Sequence, residues 1–248
     1  MSMLCFRLDD VTLGYDGHPA VHHLSGDVGK GSLTAVIGPN GSGKSTLLKG
    51  LVGALKPLGG RIERVGFAAH DVAYLPQASD IDRSFPATVE DLVSLGLWRK
   101  RALFAAFARS DGERLSQALD AVGLTGFRNR PLDSLSGGQL QRALFARVLL
   151  QDARVILLDE PFAAIDSRTV ADLIDLVRRW HSEARTVIAV LHDIELVRRH
   201  FPHTILLTRE AVAWGRTEEA LHPENLLKAR RMHEAWDADA EWCRPITP

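Results

Sequence analysis

The sequence predicts an α/β fold: a parallel sheet covered by helices, with a helical insertion in its middle. Three observations predict it. Short apolar runs at 33–37, 155–158, 187–191 and 204–207 are continuous rather than alternating, as in strands buried on both faces. Helical patterns separate the last three runs, and a glycine-rich phosphate-binding loop follows the first.

The run 33–37 leads into Gly38-Pro39-Asn40-Gly41-Ser42-Gly43-Lys44-Ser45-Thr46, and Thr46-Leu47-Leu48 can open a helix. Strand, loop and helix in that order are the context a P-loop requires, which places the core among P-loop NTPases. The glycines let successive backbone N–H groups point at phosphates, aided by the positive helix terminus. Lys44 is expected to reach the β- and γ-phosphates, and the Ser45 hydroxyl to ligate Mg²⁺.

From about 80 to 148 no strong strand pattern occurs. Leu115, Ala118, Leu119 and Val122 form a helical stripe, with Gly123 where a left-handed cap would sit. Leu140, Ala143 and Leu144 begin another helix directly after Leu135-Ser136-Gly137-Gly138-Gln139. Two glycines at a helix start expose backbone amides, and Ser136 adds a hydroxyl, so a second anion site is expected here. The bare tetrapeptide would equally serve as a capping turn. This motif is far along the chain from Lys44 and in a separate helical region. One copy does not easily fold the two together. The simple resolution is a head-to-tail pair in which each copy's second site closes over the other's nucleotide.

The strand at 155–158 ends in Asp159-Glu160. Beside a P-loop, Asp159 is expected to hold Mg²⁺ through water and Glu160 to polarise the attacking water. Val170, Leu173, Ile174 and Val177 then follow helical spacing, with Asp166 or Ser167 as cap. From about 229, a short helix and a loose end containing Trp236 and Trp242 are expected. The domain reading is one ATPase domain over 1–248: a core with a β subdomain from 1–78 and 149–228, a helical subdomain at 79–148, and a tail at 229–248.

The chain has 248 residues, 46% hydrophobic and 25% charged, an ordinary globular balance. A formal net charge of −1 gives no electrostatic case for nucleic acid. Two cysteines, Cys5 and Cys243, exclude a disulfide framework and suit a reducing compartment. No signal peptide is expected at the N-terminus, and no run approaches the ~18 apolar residues of a membrane span.

With these motifs in this order, the chain resembles the ATP-binding subunit of an ABC transporter over about residues 4–228. The resemblance implies a RecA-like core, an N-terminal antiparallel β subdomain and an inserted α-helical subdomain. It implies ATP and Mg²⁺ as ligands. Tyr15 would stack on adenine, and Gln77, in Tyr74-Leu75-Pro76-Gln77, would contact Mg²⁺ and the attacking water. His192, in Val190-Leu191-His192-Asp193, would hydrogen-bond the γ-phosphate. Asp166, in Ala163-Ala164-Ile165-Asp166, would lie in the loop crossing to a partner copy; Ile165 stands where the family more often has leucine.

A narrower likeness follows. Phe85-Pro86-Ala87-Thr88-Val89 resembles the stretch in ATPases of zinc and manganese importers that receives the permease's coupling helix. Phe85, Pro86 and Val89 would then join Gln77 at that interface, although an ordinary helix entry would read similarly. Leu97-Trp98-Arg99-Lys100-Arg101-Ala102-Leu103-Phe104 would lie near lipid or the permease, or form a solvated charge run. Asp159-Glu160-Pro161-Phe162-Ala163 and His222-Pro223-Glu224-Asn225-Leu226 resemble the same subgroup. The implied function is to energise a zinc or manganese importer from the cytoplasmic face of the inner membrane. The partners would be a permease, a second copy and, indirectly, a periplasmic or extracellular binding protein. Iron-chelate or cobalamin import, or a soluble role such as iron–sulfur assembly, are the alternatives. His18, His22 and His23 read as an exposed loop cluster rather than a metal site, and His200 and His203 are likewise not taken as ligands.

Overall fold

The computed structural model describes residues 4–100, 109–163 and 165–238. The chain forms two compact units: one from the described residues of Met1–Phe67 and Ile188–Pro248, the other from those of Ala68–Val187.

The first unit opens with β1 (Leu4–Tyr15) and β2 (His18–Gly29), followed by β3 (Leu33–Ile37), α1 (Lys44–Val52) and β4 (Gly59–Arg64). β1 pairs antiparallel with β2 on one side and β4 on the other. Tyr15 faces His18 across a two-residue turn in which Asp16 (φ 51°) and Gly17 (φ 79°) are both left-handed. That is the type I′ geometry whose twist matches a hairpin, and Asp-Gly is the pair that adopts it at least cost. These antiparallel strands were not legible from periodicity. Their alternation is broken by register shifts such as those between Leu8 and Val11 and between Leu13 and Gly14.

In the second unit come β5 (Val72–Leu75), α2 (Val89–Ser94), α3 (Arg109–Ala121), α4 (Gly137–Gln151), β6 (Val155–Asp159) and α5 (Ser167–Ser182). β7 (Thr186–Val190) follows, and within it the chain returns to the first unit. β5 and β6 are parallel, with Leu75 opposite Leu158. All five residues of β6 are buried, which is why the run reads as apolar without alternation. The α3 stripe Leu115, Ala118, Leu119 is buried as expected, and Gly123 is left-handed (φ 70°). No strand forms among the described residues of 80–148. Phe145 of α4 stacks on Trp180 of α5 at 5.8 Å and on Phe162 at 6.3 Å, joining both helices to the turn after β6.

The first unit resumes with α6 (Ile194–His200), β8 (His203–Thr208), β9 (Glu210–Arg216), α7 (Thr217–Ala220) and α8 (Pro223–Ala238). β8 pairs parallel with β3, and antiparallel with β9. The helix expected from about 229 in fact begins at Pro223, whose fixed φ and missing N–H suit a first helical position. Trp242 and the expected loose end lie outside the described residues.

Candidate nucleotide site

In the first unit, the P-loop leaves the buried strand β3 and ends in α1. Gly43 caps α1 at φ 89°, and a Cβ there would lie 2.5 Å from the Ala20 carbonyl oxygen. No side chain fits, so glycine is required by the backbone and by the neighbouring strand together. Asn40 and Gly41 form the exposed tip, while Ser42, Lys44 and Thr46 are buried and Gly38, Pro39, Gly43 and Ser45 are half-buried. The Lys44 Nζ donates to the carbonyls of Gly38 (3.0 Å) and Pro39 (2.7 Å), which holds the ammonium over the loop itself. The Ser42 carbonyl accepts from the Arg209 N–H at 3.0 Å, tying the loop to the end of β8.

Two other expected residues belong to this unit. Val21, which pairs with Leu13, meets the Gly43 position, so the hairpin flanks the loop; Tyr15 stands 46% exposed at its tip. The Leu191 N–H donates to the Val36 carbonyl at 3.1 Å. This sets the exposed His192 beside the end of the strand from which the P-loop leaves.

In the second unit, Asp159 ends β6 and is 1% exposed, accepting a hydrogen bond from the Tyr74 phenol at 3.0 Å. Glu160 follows with φ 48°, a left-handed conformation that costs a non-glycine residue about 1 kcal/mol or more. Its carbonyl accepts from the Ala163 N–H at 3.2 Å in the turn that holds this conformation. Because Leu75 and Leu158 are opposite, Gln77 and Glu160 each lie two residues past the same register pair. Gln77 is half-buried, and its Oε1 accepts from the Ser79 hydroxyl at 3.5 Å.

The glycine motif at 135–139 opens α4 through a reciprocal cap. The Ser136 hydroxyl accepts from the Gln139 N–H (3.2 Å), and Gln139 Oε1 accepts from the Ser136 N–H (3.0 Å). Ser136 and Gly137 are exposed. The motif is therefore a cap and an exposed helix N-terminus at once, and the two readings of the tetrapeptide are compatible. Unlike Gly43, Gly138 has room: a Cβ would approach nothing closer than Ile165 Cγ2 at 3.7 Å and Asp166 Oδ2 at 4.0 Å. The motif thus lies against the 165–166 loop, although Ala164 is outside the described residues.

Asp166 is the cap of α5. Its two carboxylate oxygens accept from the Thr169 N–H (2.9 Å) and the Thr169 hydroxyl (2.8 Å), which holds its pKa below the usual carboxylate value. The Thr169 hydroxyl also accepts from Arg142 Nη2 (3.1 Å), which in addition reaches Asp172 (2.9 Å). Tyr74, Arg142 and Thr169 were missed from sequence. Their roles come from register and helix facing, and no motif spacing signals them.

Two expectations need correction. Val89 is fully buried at the start of α2, so it cannot offer its side chain to a partner as Phe85 (67% exposed) and the exposed Pro86 can. Its backbone forces this: Thr88 caps α2 in a reciprocal box with Asp91, and the Val89 N–H donates to the Arg130 carbonyl at 2.9 Å, turning the side chain inward. The histidine cluster is not a loop. His18, His22 and His23 lie on β2, where His22 is buried, with its pKa lowered by that burial, and His23 pairs with Asp10 at 2.8 Å. Among the described residues no group of three or more His, Cys, Asp or Glu side chains is arranged to hold a metal. Trp98 is 71% exposed, while 101–104 of that segment lie outside the described residues.

The family model for ABC transporters matches residues 21–163, more than half of the chain. The chain belongs to the ABC transporter family. The cassette is 36% identical to the manganese transport system ATP-binding protein MntA of Synechocystis, over 97% of this chain and 98% of that one. It is 34% identical to the chelated iron transport system membrane protein YfeB of Yersinia pestis, over 88% and 76%. Among solved structures it resembles an inward-facing putative metal-chelate type ABC transporter, with a TM-score of 0.80 and 31% identity over 92% of this chain and 89% of that one. A nucleotide-free ATP-binding cassette at TM-score 0.77 and 23% identity over 96% of this chain and 100% of that one shares the fold. The cassette is accordingly a nucleotide-binding ATPase with the P-loop NTPase fold. No helix among its described residues is long and apolar enough to cross a membrane.

Proposed function

We propose that this cassette hydrolyses Mg·ATP in a head-to-tail dimer and thereby energises an importer of a divalent metal ion, manganese or zinc. What carries the cargo reading is the run of relatives named for manganese or metal transport, at 34–36% identity across most of the chain. The iron-chelate alternative rests on YfeB and on the metal-chelate type neighbour.

In the proposed reaction, Lys44 and the N–H groups of Gly38, Asn40, Gly41, Ser42, Gly43, Ser45 and Thr46 bind the phosphates, Pro39, which has no N–H, fixes the backbone of the loop, and Tyr15 covers the adenine. Glu160 takes the proton of the attacking water, oriented by Gln77, and His192 donates to the γ-phosphate. A partner copy's Ser136, Gly137, Gly138, Gln139 and Asp166 complete the site. The room at Gly138 supports this: a Cβ would meet its own chain only at ordinary van der Waals distances, so its own chain does not require a glycine there. A hydroxyl at Ser45, an amide oxygen at Gln77 and a buried carboxylate at Asp159 are hard oxygen donors, the set that suits Mg²⁺. When bound, Mg²⁺ would neutralise charge developing on the β- and γ-phosphates.

The cassette would sit on the cytoplasmic face of the inner membrane as a peripheral subunit. Phe85 and Pro86 are proposed to meet the permease beyond Gln77, and a periplasmic or extracellular binding protein would deliver the ion. Uptake of radioactive manganese, zinc and iron in cells with and without the cassette tests the cargo. Loss of manganese or zinc uptake alone supports the proposal, and loss confined to chelated iron overturns it.

A further inference from the structure

Tyr74 joins three parts of the second unit. Across the parallel pair β5–β6 it is opposite Leu157, so its side chain shares a pleat face with Leu157 and, two residues on, with Asp159. The phenol spans that step and donates to Asp159 Oδ2 at 3.0 Å. The Tyr74 carbonyl, on the other hand, accepts from Arg147 Nη2 at 2.7 Å. One turn further along α4, Gln151 Nε2 donates to the Val72 carbonyl at 3.0 Å. α4 begins at the Ser136 cap, and β5 runs on to Gln77. A single residue thus ties the helix of the glycine motif to the strand of the glutamine loop, and both to the buried carboxylate.

We infer that Tyr74 is a positioning residue for Asp159: its phenol fixes the carboxylate in the orientation that receives the metal, and its backbone fixes that orientation relative to α4. This rests on the proposal that Asp159 serves Mg²⁺. Asp159 is 1% exposed, and hydrogen bonds to charged groups are the strong ones, so the phenol is placed to fix the orientation of this carboxylate.

The test is Tyr74→Phe, which keeps the ring and removes only the donor. Mn²⁺ substitutes for Mg²⁺, and its binding to the ATP-loaded cassette is read by electron paramagnetic resonance, with Asp159→Asn in parallel and ATP affinity measured in EDTA. The expected result is a fall of about tenfold in Mn²⁺ affinity for Tyr74→Phe, as for loss of a bond to a charged group, with metal-free ATP affinity unchanged. An unaltered Mn²⁺ affinity in Tyr74→Phe beside a large loss in Asp159→Asn would overturn the role of Tyr74 and leave that of Asp159 standing. No loss in either variant would overturn both. A spectroscopic check is available because the chain has two tyrosines, Tyr15 and Tyr74. With 3-fluorotyrosine incorporated and Tyr15→Phe identifying the signals, the Tyr74 resonance should move on adding Mg·ATP but not ATP in EDTA. Identical responses to both would count against the inference even if the affinities agreed with it.

Discussion

Gly138 offers a substitution whose effects on stability and activity should have opposite signs. Gly138→Ala places a methyl group where the nearest atoms of its own chain are at 3.7 and 4.0 Å, ordinary van der Waals separations. The residue is the second of the 15-residue helix α4, so alanine removes unfolded-state freedom and raises helix propensity. Together these stabilise by roughly 0.5 kcal/mol or more, or about 1–3 °C in melting temperature for a chain of this size. Gly43→Ala is the contrast. Its φ of 89° and the 2.5 Å approach to the Ala20 carbonyl make the same change costly, by about 1–2 kcal/mol from the left-handed backbone alone. If Gly138 is glycine because a partner's phosphate approaches it, Gly138→Ala should melt slightly higher, bind ATP normally as a monomer and lose about a hundredfold in ATPase rate. Thermal melts, fluorescent-nucleotide titration and steady-state hydrolysis measure the three quantities. A full ATPase rate in the stabilised variant would refute the reasoning.

Glu160→Gln should slow hydrolysis about a hundredfold or more while ATP drives the cassette into a stable dimer on size exclusion; turnover near wild type would remove Glu160 as the base. Phe85→Ala should leave the ATPase activity of the isolated cassette unchanged and reduce metal uptake in the assembled transporter, and unchanged uptake would take Phe85 out of the permease contact. Asp166, held below the usual carboxylate pKa by Thr169, should contribute stability fully above about pH 4 and lose it as pH falls through its depressed value. The melting difference between wild type and Asp166→Asn should therefore narrow below that pH. A difference that stays constant from neutral to acid pH would deny the carboxylate this role.

The candidate site's motifs stand out in the sequence because the chemistry proposed for them needs adjacent residues: nine consecutive positions at 38–46, a carboxylate pair at 159–160, a glycine pair before a helix. The buried parallel strands were legible for a similar reason, since burial on both faces leaves apolar runs. What escaped depends on neighbours remote in sequence. β1 and β2 hold their apolar residues out of simple alternation, as their register shifts require. Val89 reads like part of an exposed motif until the Thr88 cap and the Arg130 carbonyl turn it inward. Tyr74 stands three residues before an expected catalytic glutamine, yet its bond to Asp159 depends on the register of two strands.

The most direct test of a site shared between two copies is complementation between two inactive variants, Lys44→Ala and Ser136→Arg. Each alone should lack ATPase activity, because every site in its homodimer carries a defect. Mixed, they can form dimers with one site made from an intact P-loop and an intact partner motif. The expected result is that ATPase activity returns on mixing and rises with the fraction of mixed dimer. A mixture that forms dimers yet stays inactive would contradict the shared site.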